Sequence, residues 1–316
     1  MPEPAVWFDG RVRTGVTAEP TLSTFGLHYG YSVFEGLRSF DIGGSAAIFA
    51  LQPHIDRLLA SAATLDIPIR YDNDTLVAAH YDVLAANGLT EAYIRPIAFF
   101  GDGLAGLGTQ HHEAHLAILA WPWANPAPGG GGVRLAIARR RRPSPDSYPP
   151  HAKAAGSYLI AKLAHNEAVA RGFADAIMLD DRGHVAEATS MNVFLVRDGA
   201  LFTPTTRACL PGITRRTVID LARALDLPVR ETDLTVTDVL GADEVFLTST
   251  AAGVRPVLAV EDHVYGDGRP GALTTRLLRQ YDEHVDAHSI PSAAYTGPAP
   301  RGTSGPAAVL TPGGRP

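Results

Sequence analysis

The amino-acid sequence predicts an α+β protein of two domains, and three observations carry that prediction. At 316 residues the chain is long enough for two hydrophobic cores of ordinary size. Strand-like apolar runs bounded by glycine are interspersed with stretches whose apolar residues recur at the helical period. Between two such regions lies Trp123 to Gly132, ten residues with two prolines and four glycines, which suits neither a helix nor a strand interior. The expected division is a small domain over 1–122, an interdomain loop over 123–132, a larger domain over 133–287 and a tail over 288–316. The tail is Pro, Gly, Ser, Ala and Thr with little to bury, so disorder is expected there.

Strands over 5–8 and 10–16 are expected to turn at Asp9-Gly10, a tight-hairpin dipeptide. Val33 to Phe40 reads as one strand, bounded by Gly30 and Gly43-Gly44, with Ala46 to Leu51 as its hairpin partner. From 53 to 65, Ile55, Leu58, Leu59 and Ala62 share one helical face, while Arg57 points the other way. A second helix spans 73–87 and closes at Asn87-Gly88. Strands from Ala92 to Phe100 and from His115 to Trp121 follow, joined by the glycine-rich turn GDGLAGLG. Beyond the loop come a strand over 133–138, a proline-rich segment to Pro150 and a helix from Ser157 to Arg171. Strands over 174–179, 192–197 and 200–203 precede a helix that opens at Gly212-Ile213-Thr214, with Val218, Leu221, Ala222 and Leu225 on one face. A strand over 244–248 runs into the segment Ser249 to Gly253, and a last helix runs from Ala272 toward Val285.

Composition narrows the function classes. A formal charge of −6 argues against general nucleic-acid binding, and the run Arg139 to Arg142 reads as a solvated strand end, with phosphate binding as the alternative. No apolar run approaches the roughly 18 residues of a membrane span. The N-terminal MPEPAVWFDG has neither a basic nor an apolar export region, so a soluble, cytoplasmic protein is expected. Cys209 is the only cysteine, which rules out an intrachain disulfide. No metal site is expected.

The cationic side chains are almost all arginines, and Lys153 and Lys162 are the only lysines. A guanidinium stays protonated and cannot act as a nucleophilic amine, whereas a lysine can. Any carbonyl-amine chemistry therefore falls to Lys153 or Lys162. Lys153 lies among Ala152, Ala154, Ala155 and Gly156, small residues that let a flat ring approach; Lys162 fits an outward-facing helical lysine. Pyridoxal 5′-phosphate requires an amine for its aldehyde, an acid for its ring nitrogen, donors for its phosphate and a pocket for the substrate carboxylate. Lys153 is the proposed amine and Glu187, in VAEATSMNVF, the proposed acid. The phosphate donors are sought at Ile213 and Thr214, where a glycine precedes the first turn of an amphipathic helix, with Thr250 and Arg57 as further candidates. Taken singly, each has a plain structural account: a turn acid, a capped helix, a surface arginine.

Together the motifs carry a resemblance. HYGYSVFEGLR from His28, AYIRP from Ala92, AKAAGSYL around Lys153, EATSMNVF, DGALFTP, LPGITR and DEVFLTSTAAGVRPV stand in the order found in fold-type IV pyridoxal-phosphate enzymes. The chain most resembles the branched-chain amino acid aminotransferases, over about residues 5 to 280. The resemblance implies a two-domain homodimer with its active site at the domain interface, closed by the loop after Trp121. It makes Lys153 the Schiff-base lysine and Glu187 the partner of the pyridine nitrogen. Arg57, Ile213, Thr214 and Thr250 would hold the phosphate, and Tyr158 would contact the phenolic oxygen. Phe34, Tyr93, Arg95, Ala251 and Ala252 match substrate-pocket positions, with Tyr29 entering from the other subunit. The implied reaction is transamination between a branched-chain L-amino acid and 2-oxoglutarate, ping-pong through pyridoxamine phosphate. An apolar pocket that must also take glutamate needs a cation for the distal carboxylate, the role expected of Arg95; the alternative is an arginine paired with Glu91 or Asp102.

Three departures from the family pattern bear on substrate identity. Met191 is expected to add bulk near the cofactor, Tyr31 is larger than expected after Gly30, and Pro126 with the glycines stands where an aromatic residue is expected to close the site. The alternatives are a D-amino acid or (R)-amine aminotransferase, an aminodeoxychorismate lyase of the same fold, or a binding protein on an inactive enzyme fold.

Overall fold

The computed structural model describes residues 4–14, 21–103, 106–108, 112–123 and 131–294. Its first half contains β1 (Ala5–Phe8), β2 (Arg11–Thr14), α1 (Phe25–Tyr29), β3 (Ser32–Phe34), β4 (Leu37–Ile42), β5 (Ser45–Ile48), α2 (Leu51–Thr64), α3 (Asn73–Ala86), β6 (Ala92–Phe100) and β7 (Ala114–Pro122). Then come β8 (Val133–Ile137), α4 (Tyr158–Ala170), β9 (Asp175–Leu179), β10 (Val185–Ala188), β11 (Asn192–Arg197), β12 (Ala200–Thr203), α5 (Ile213–Ala224) and β13 (Val229–Glu231). The described chain ends with α6 (Val236–Leu240), β14 (Glu244–Ser249), β15 (Gly253–Val260), β16 (His263–Val264), α7 (Ala272–His288) and β17 (Ile290–Pro291).

Two sheets result. The first runs β17-β5-β4-β6-β7-β1-β2, with β3 also on β6; the second runs β10-β9-β8-β15-β14-β11-β12-β13, with β16 on β15. Asp9 and Gly10 both take positive φ, 46° and 91°, which matches the twist of the β1–β2 hairpin. In α2 and α3 the faces carrying Ile55, Leu58, Ala62, Leu76 and Val83 bury against Ile94 and Ile118 of the first sheet. Full burial of such a side chain contributes about 1.5–3 kcal/mol. On the second sheet, Val218, Ile219 and Ala222 of α5 and Leu277 and Tyr281 of α7 pack on Phe194 and Phe246, and Phe49 from the first half joins the same cluster. Ala161, Ala164 and Ala168 of α4 meet Ala136, Ala176 and Met178. Small side chains at that contact let α4 lie close to its sheet, which fixes Tyr158 at its start and the Lys153 segment before it.

The expected single strand over Val33 to Phe40 is broken. Glu35-Gly36 interrupts it, and β3 and β4 each pair with β6, through Phe34↔Ile97 and Leu37↔Ile94. The break follows from the two residues: the Glu35 carboxylate turns into the interior, and a Cβ on Gly36 would meet Tyr93 Oη at 1.9 Å. The helix expected from 53 begins at Leu51, after Ala50 with φ 52°. Two strands in the second sheet carry no clear sequence signal. All four residues of β10 are buried, which removes the apolar alternation, and β15 contains Pro256, which argues against a strand. The short α1, α6, β13 and β16 likewise have too few residues for a period to register. The tail is ordered further than expected, because Ile290 pairs with Ile48 at the β5 edge and its carbonyl accepts from Tyr81 Oη at 2.7 Å. The remaining tail, from 295, and loop residues 124–130 lie outside the described residues.

Candidate active site

Between the sheets a cavity is lined by Arg57, Lys153, Tyr158, Glu187, Ile213, Thr214 and Thr250, seven of the positions singled out in the sequence. They come from six places in the chain: α2, the segment before α4, the start of α4, β10, the first turn of α5 and the turn after β14.

Lys153 is tied by the backbone of its segment to the first half of the chain. Its N–H donates to Ser61 Oγ on α2 at 3.0 Å, its carbonyl accepts from Phe34 N at 3.1 Å, and Val33 bridges to Ala154. The side-chain Nζ donates to Tyr158 Oη at 2.7 Å and lies 5.1 Å from the Phe34 ring centroid. Lys162 is exposed on α4 and reaches no part of this cavity.

Glu187 is 5 % exposed on β10, and burial raises its carboxyl pKa despite an Arg142 ion pair at 2.6 Å. Its Oε2 accepts from Asn192 Nδ2 and from Leu210 N, each at 3.3 Å. Arg142 corrects the sequence reading of the arginine run: its side chain is 10 % exposed and turns inward. Only a buried acid at Glu187 demanding a partner would have pointed to it.

At the other side of the cavity, α5 is capped by Gly212, whose lack of a side-chain oxygen leaves first-turn N–H groups free for an anion. A Cβ at Gly212 would sit 2.0 Å from Asn192 Oδ1, so glycine is required for that approach. Arg57 does not point away into solvent as expected of the polar helix face. Its side chain is 12 % exposed, donates from Nε to Glu35 Oε1 at 2.6 Å and from Nη2 to Glu35 Oε2 at 2.9 Å, and from Nη1 to Pro211 O at 3.1 Å. Glu35 also takes His54 Nδ1 at 2.7 Å. Burial opposes the Glu35 charge, but Arg57 and His54 outweigh it and hold the carboxyl well below the usual carboxylate range. Burial keeps His54 below its ordinary pKa, and its Nε2 lies 3.5 Å from Thr250 Oγ1. Glu35, His54 and Ser61 were missed in the sequence; the signal available was an acid set between Phe34 and Gly36 in an apolar strand.

Phe34 carries the arrangement outward, 5.0 Å from the Tyr158 ring. Arg95 Cζ lies 4.6 Å from the Phe34 centroid, 5.3 Å from Tyr93 and 5.9 Å from Trp121. Its Nη2 donates to Tyr93 Oη at 3.3 Å, its Nε has no partner, and among the described residues it meets no carboxylate, so the pairing with Glu91 or Asp102 is absent. Trp121 and Trp123, at 5.1 and 5.3 Å from Tyr93, supply aromatic surface that the sequence reading did not anticipate. Ala251 and Ala252 follow Thr250 in the turn after β14, with Ala252 N on Ser249 Oγ. Tyr29 is 46 % exposed on α1 and does not line the cavity of its own chain. The expected place of Met191 near the cofactor is corrected, and Tyr31 turns its bulk away from the cavity. Met191 packs against the core of the second sheet, leaving Thr189 and Ser190 on the cavity, and Tyr31 packs on Phe25 and Phe100 while donating to Leu65 O at 2.7 Å. Pro126 lies outside the described residues.

This donor set fits a flat phosphorylated pyridine. Cationic and N–H donors stand on one side, a buried carboxylate on another and an amine between aromatic rings, and Thr248 Oγ1 on the cavity wall is buried without a partner. Residues 32–260 match the family model for class IV amino-transferases. The branched-chain-amino-acid aminotransferase of Pseudomonas aeruginosa is 37 % identical over 293 residues, 92 % of this chain and 95 % of that protein. The crystal structure of the Escherichia coli branched-chain amino acid aminotransferase superposes with a TM-score of 0.87 at 34 % identity, covering 93 % of this chain and 98 % of that one. That of the Thermobaculum terrenum enzyme, solved in its PLP form, gives 0.86 at 30 % identity over 94 % and 97 %. With its fold, its site and these relatives in agreement, the chain belongs to the class IV aminotransferases, of fold type IV.

Proposed function

We propose that this chain transfers the amino group of leucine, isoleucine or valine to 2-oxoglutarate, using pyridoxal 5′-phosphate and alternating between the pyridoxal and pyridoxamine forms of the cofactor. The observation that carries the reading is the cavity itself, which gathers Lys153, Glu187, Arg57 and the start of α5 around one space. When bound, the cofactor supplies an electron sink for charge developing at the substrate Cα. Lys153 Nζ would hold the cofactor's aldehyde and would serve as the amine that moves a proton to and from the substrate Cα. Tyr158 Oη, 2.7 Å away, orients that amine and would contact the cofactor's phenolic oxygen. Glu187 would hold a proton at the pyridine nitrogen, and Arg142 aims its carboxylate and offsets part of the cost of burying it. The N–H groups of Ile213 and Thr214, the guanidinium of Arg57 and Thr250 hold the phosphate.

Phe34, Tyr93, Trp121 and Trp123 form an apolar wall for a branched side chain, and Arg95, lacking a carboxylate of its own, takes the distal carboxylate of glutamate. Ala251 and Ala252 leave room at the turn after β14. The active unit on this reading is a homodimer in which Tyr29 enters the partner's pocket; its 46 % exposure, beside Leu27 at 61 % and Leu159 at 65 %, supports that placement. Assaying L-leucine, L-isoleucine, L-valine and D-alanine with 2-oxoglutarate tests the proposal. Turnover of D-alanine alone would overturn it.

A further inference from the structure

Glu35 does not line the cavity, and no step above uses it, yet it is fully buried beneath the phosphate-binding residues. A guanidinium has five N–H groups. Glu35 takes two from Arg57 and Pro211 O takes a third, so the plane of Arg57 is fixed and two N–H groups remain to donate. The backbone that carries the carboxylate is anchored on both sides, Phe34 N to Lys153 O and Glu35 N to Pro96 O. Glu35 Oε2, which also accepts from Arg57 Nη2, faces His54 Nδ1 at 2.7 Å. An ionised carboxylate only accepts, so Nδ1 carries the hydrogen and Nε2 is left to accept from Thr250 Oγ1 at 3.5 Å.

We propose that Glu35 is the positioning residue of a phosphate clamp. It fixes the plane of Arg57 directly and, through His54, holds Thr250 in place at the end of β14, so that a phosphate monoester is gripped from α2 and from the end of β14 at once. A negative charge placed near a phosphate site opposes an anion, and its benefit lies in orientation: an arginine held before the ligand arrives loses less conformational freedom on binding. This clamp rests on the reading that the cavity holds pyridoxal phosphate through its phosphate. A second consequence is that Thr250 grips the phosphate with its backbone N–H, since its hydroxyl hydrogen is committed to His54.

The test compares binding of pyridoxal 5′-phosphate and of pyridoxal, which lacks the phosphate, to the apoenzyme by absorbance titration. In Glu35→Gln one of the two acceptors becomes an NH2 group, which sets a donor against Arg57 Nε, or against Arg57 Nη2 and His54 Nδ1 in the flipped amide. The phosphorylated form is expected to bind about tenfold more weakly, with pyridoxal changed less than about twofold. Equal weakening of both would assign Glu35 to the fold alone and overturn the proposal. Glu35→Asp keeps the charge but withdraws it by one methylene, and serves where the glutamine variant does not accumulate as folded protein. It too should narrow the preference for the phosphorylated form, and an unchanged preference would overturn the clamp. A parent chain that binds neither compound sinks the cofactor reading itself, whereas one that binds both, with the variants showing no difference, sinks only the role of Glu35.

Discussion

Arg142 Nη1 lies 2.6 Å from Glu187 Oε1, and the two side chains are 10 % and 7 % exposed. Burial still lifts the Glu187 carboxyl above its ordinary pKa, so the arginine offsets only part of the cost of ionising it there. Arg142→Met should therefore strand an acid that prefers its protonated form. Breaking a buried pair costs about 3–5 kcal/mol, and that loss should be larger at pH 8 than at pH 5, where protonation relieves more of the stranded charge. The folded chain holds the proton more tightly than the unfolded one, so the group's contribution is fully present below the unfolded pKa of about 4.3 and is lost as pH rises through the folded value. Urea unfolding of the variant apoprotein at pH 5 and pH 8 checks this; a loss of the same size at both would count against it.

Lys153 and Lys162 differ in surroundings more than in sequence context. Lys153 is clamped by Ser61 and Phe34 and donates to Tyr158, whereas Lys162 is exposed on α4. Lys153→Ala should abolish both turnover and the visible absorbance of the holoenzyme, and Lys162→Ala should leave both within about twofold, as surface changes do. Visible absorbance retained without Lys153 would mean that another amine holds the cofactor.

These two lysines also show how far the sequence reading reached. Rarity among arginines and small flanking residues were enough to separate Lys153 from Lys162, and Gly212 before an amphipathic run marked the start of α5. Supporting residues were harder to see. Glu35, His54 and Arg142 act through contacts across long stretches of chain, and a local period reports burial of apolar faces, not which buried charge meets which. The same limit hid β10, where burial of every residue erases alternation, and it turned Met191 toward the cofactor when its side chain faces the second core.

Gly36 is where the fold touches the substrate pocket without a side chain of its own. A Cβ there would fall 1.9 Å from Tyr93 Oη and 2.7 Å from its Cζ, so Tyr93 can lie over the Glu35-Gly36 break only because the residue is glycine. Gly36→Ala should push Tyr93 off Arg95 and Trp121. The expected result is a KM for L-leucine raised about tenfold, with cofactor affinity unchanged, since the phosphate contacts lie elsewhere. A fall in cofactor affinity with an unchanged KM would place the damage at Glu35 instead.

Arg95 combines a fixed charge with an apolar setting. Three aromatic rings surround its guanidinium, its Nε has no partner, and among the described residues it has no carboxylate. Ring faces attract a cation but satisfy few of its N–H groups, so a carboxylate entering the pocket gains charge-assisted hydrogen bonds that a leucine side chain cannot. Arg95→Met keeps much of the apolar surface and removes the charge. It should lower kcat/KM for glutamate about 10- to 100-fold, the value of a hydrogen bond to a charged group, and change that for leucine by less than about threefold. Steady-state kinetics on both donors decides the matter: equal losses would make Arg95 a packing residue and move recognition of the distal carboxylate to another cation.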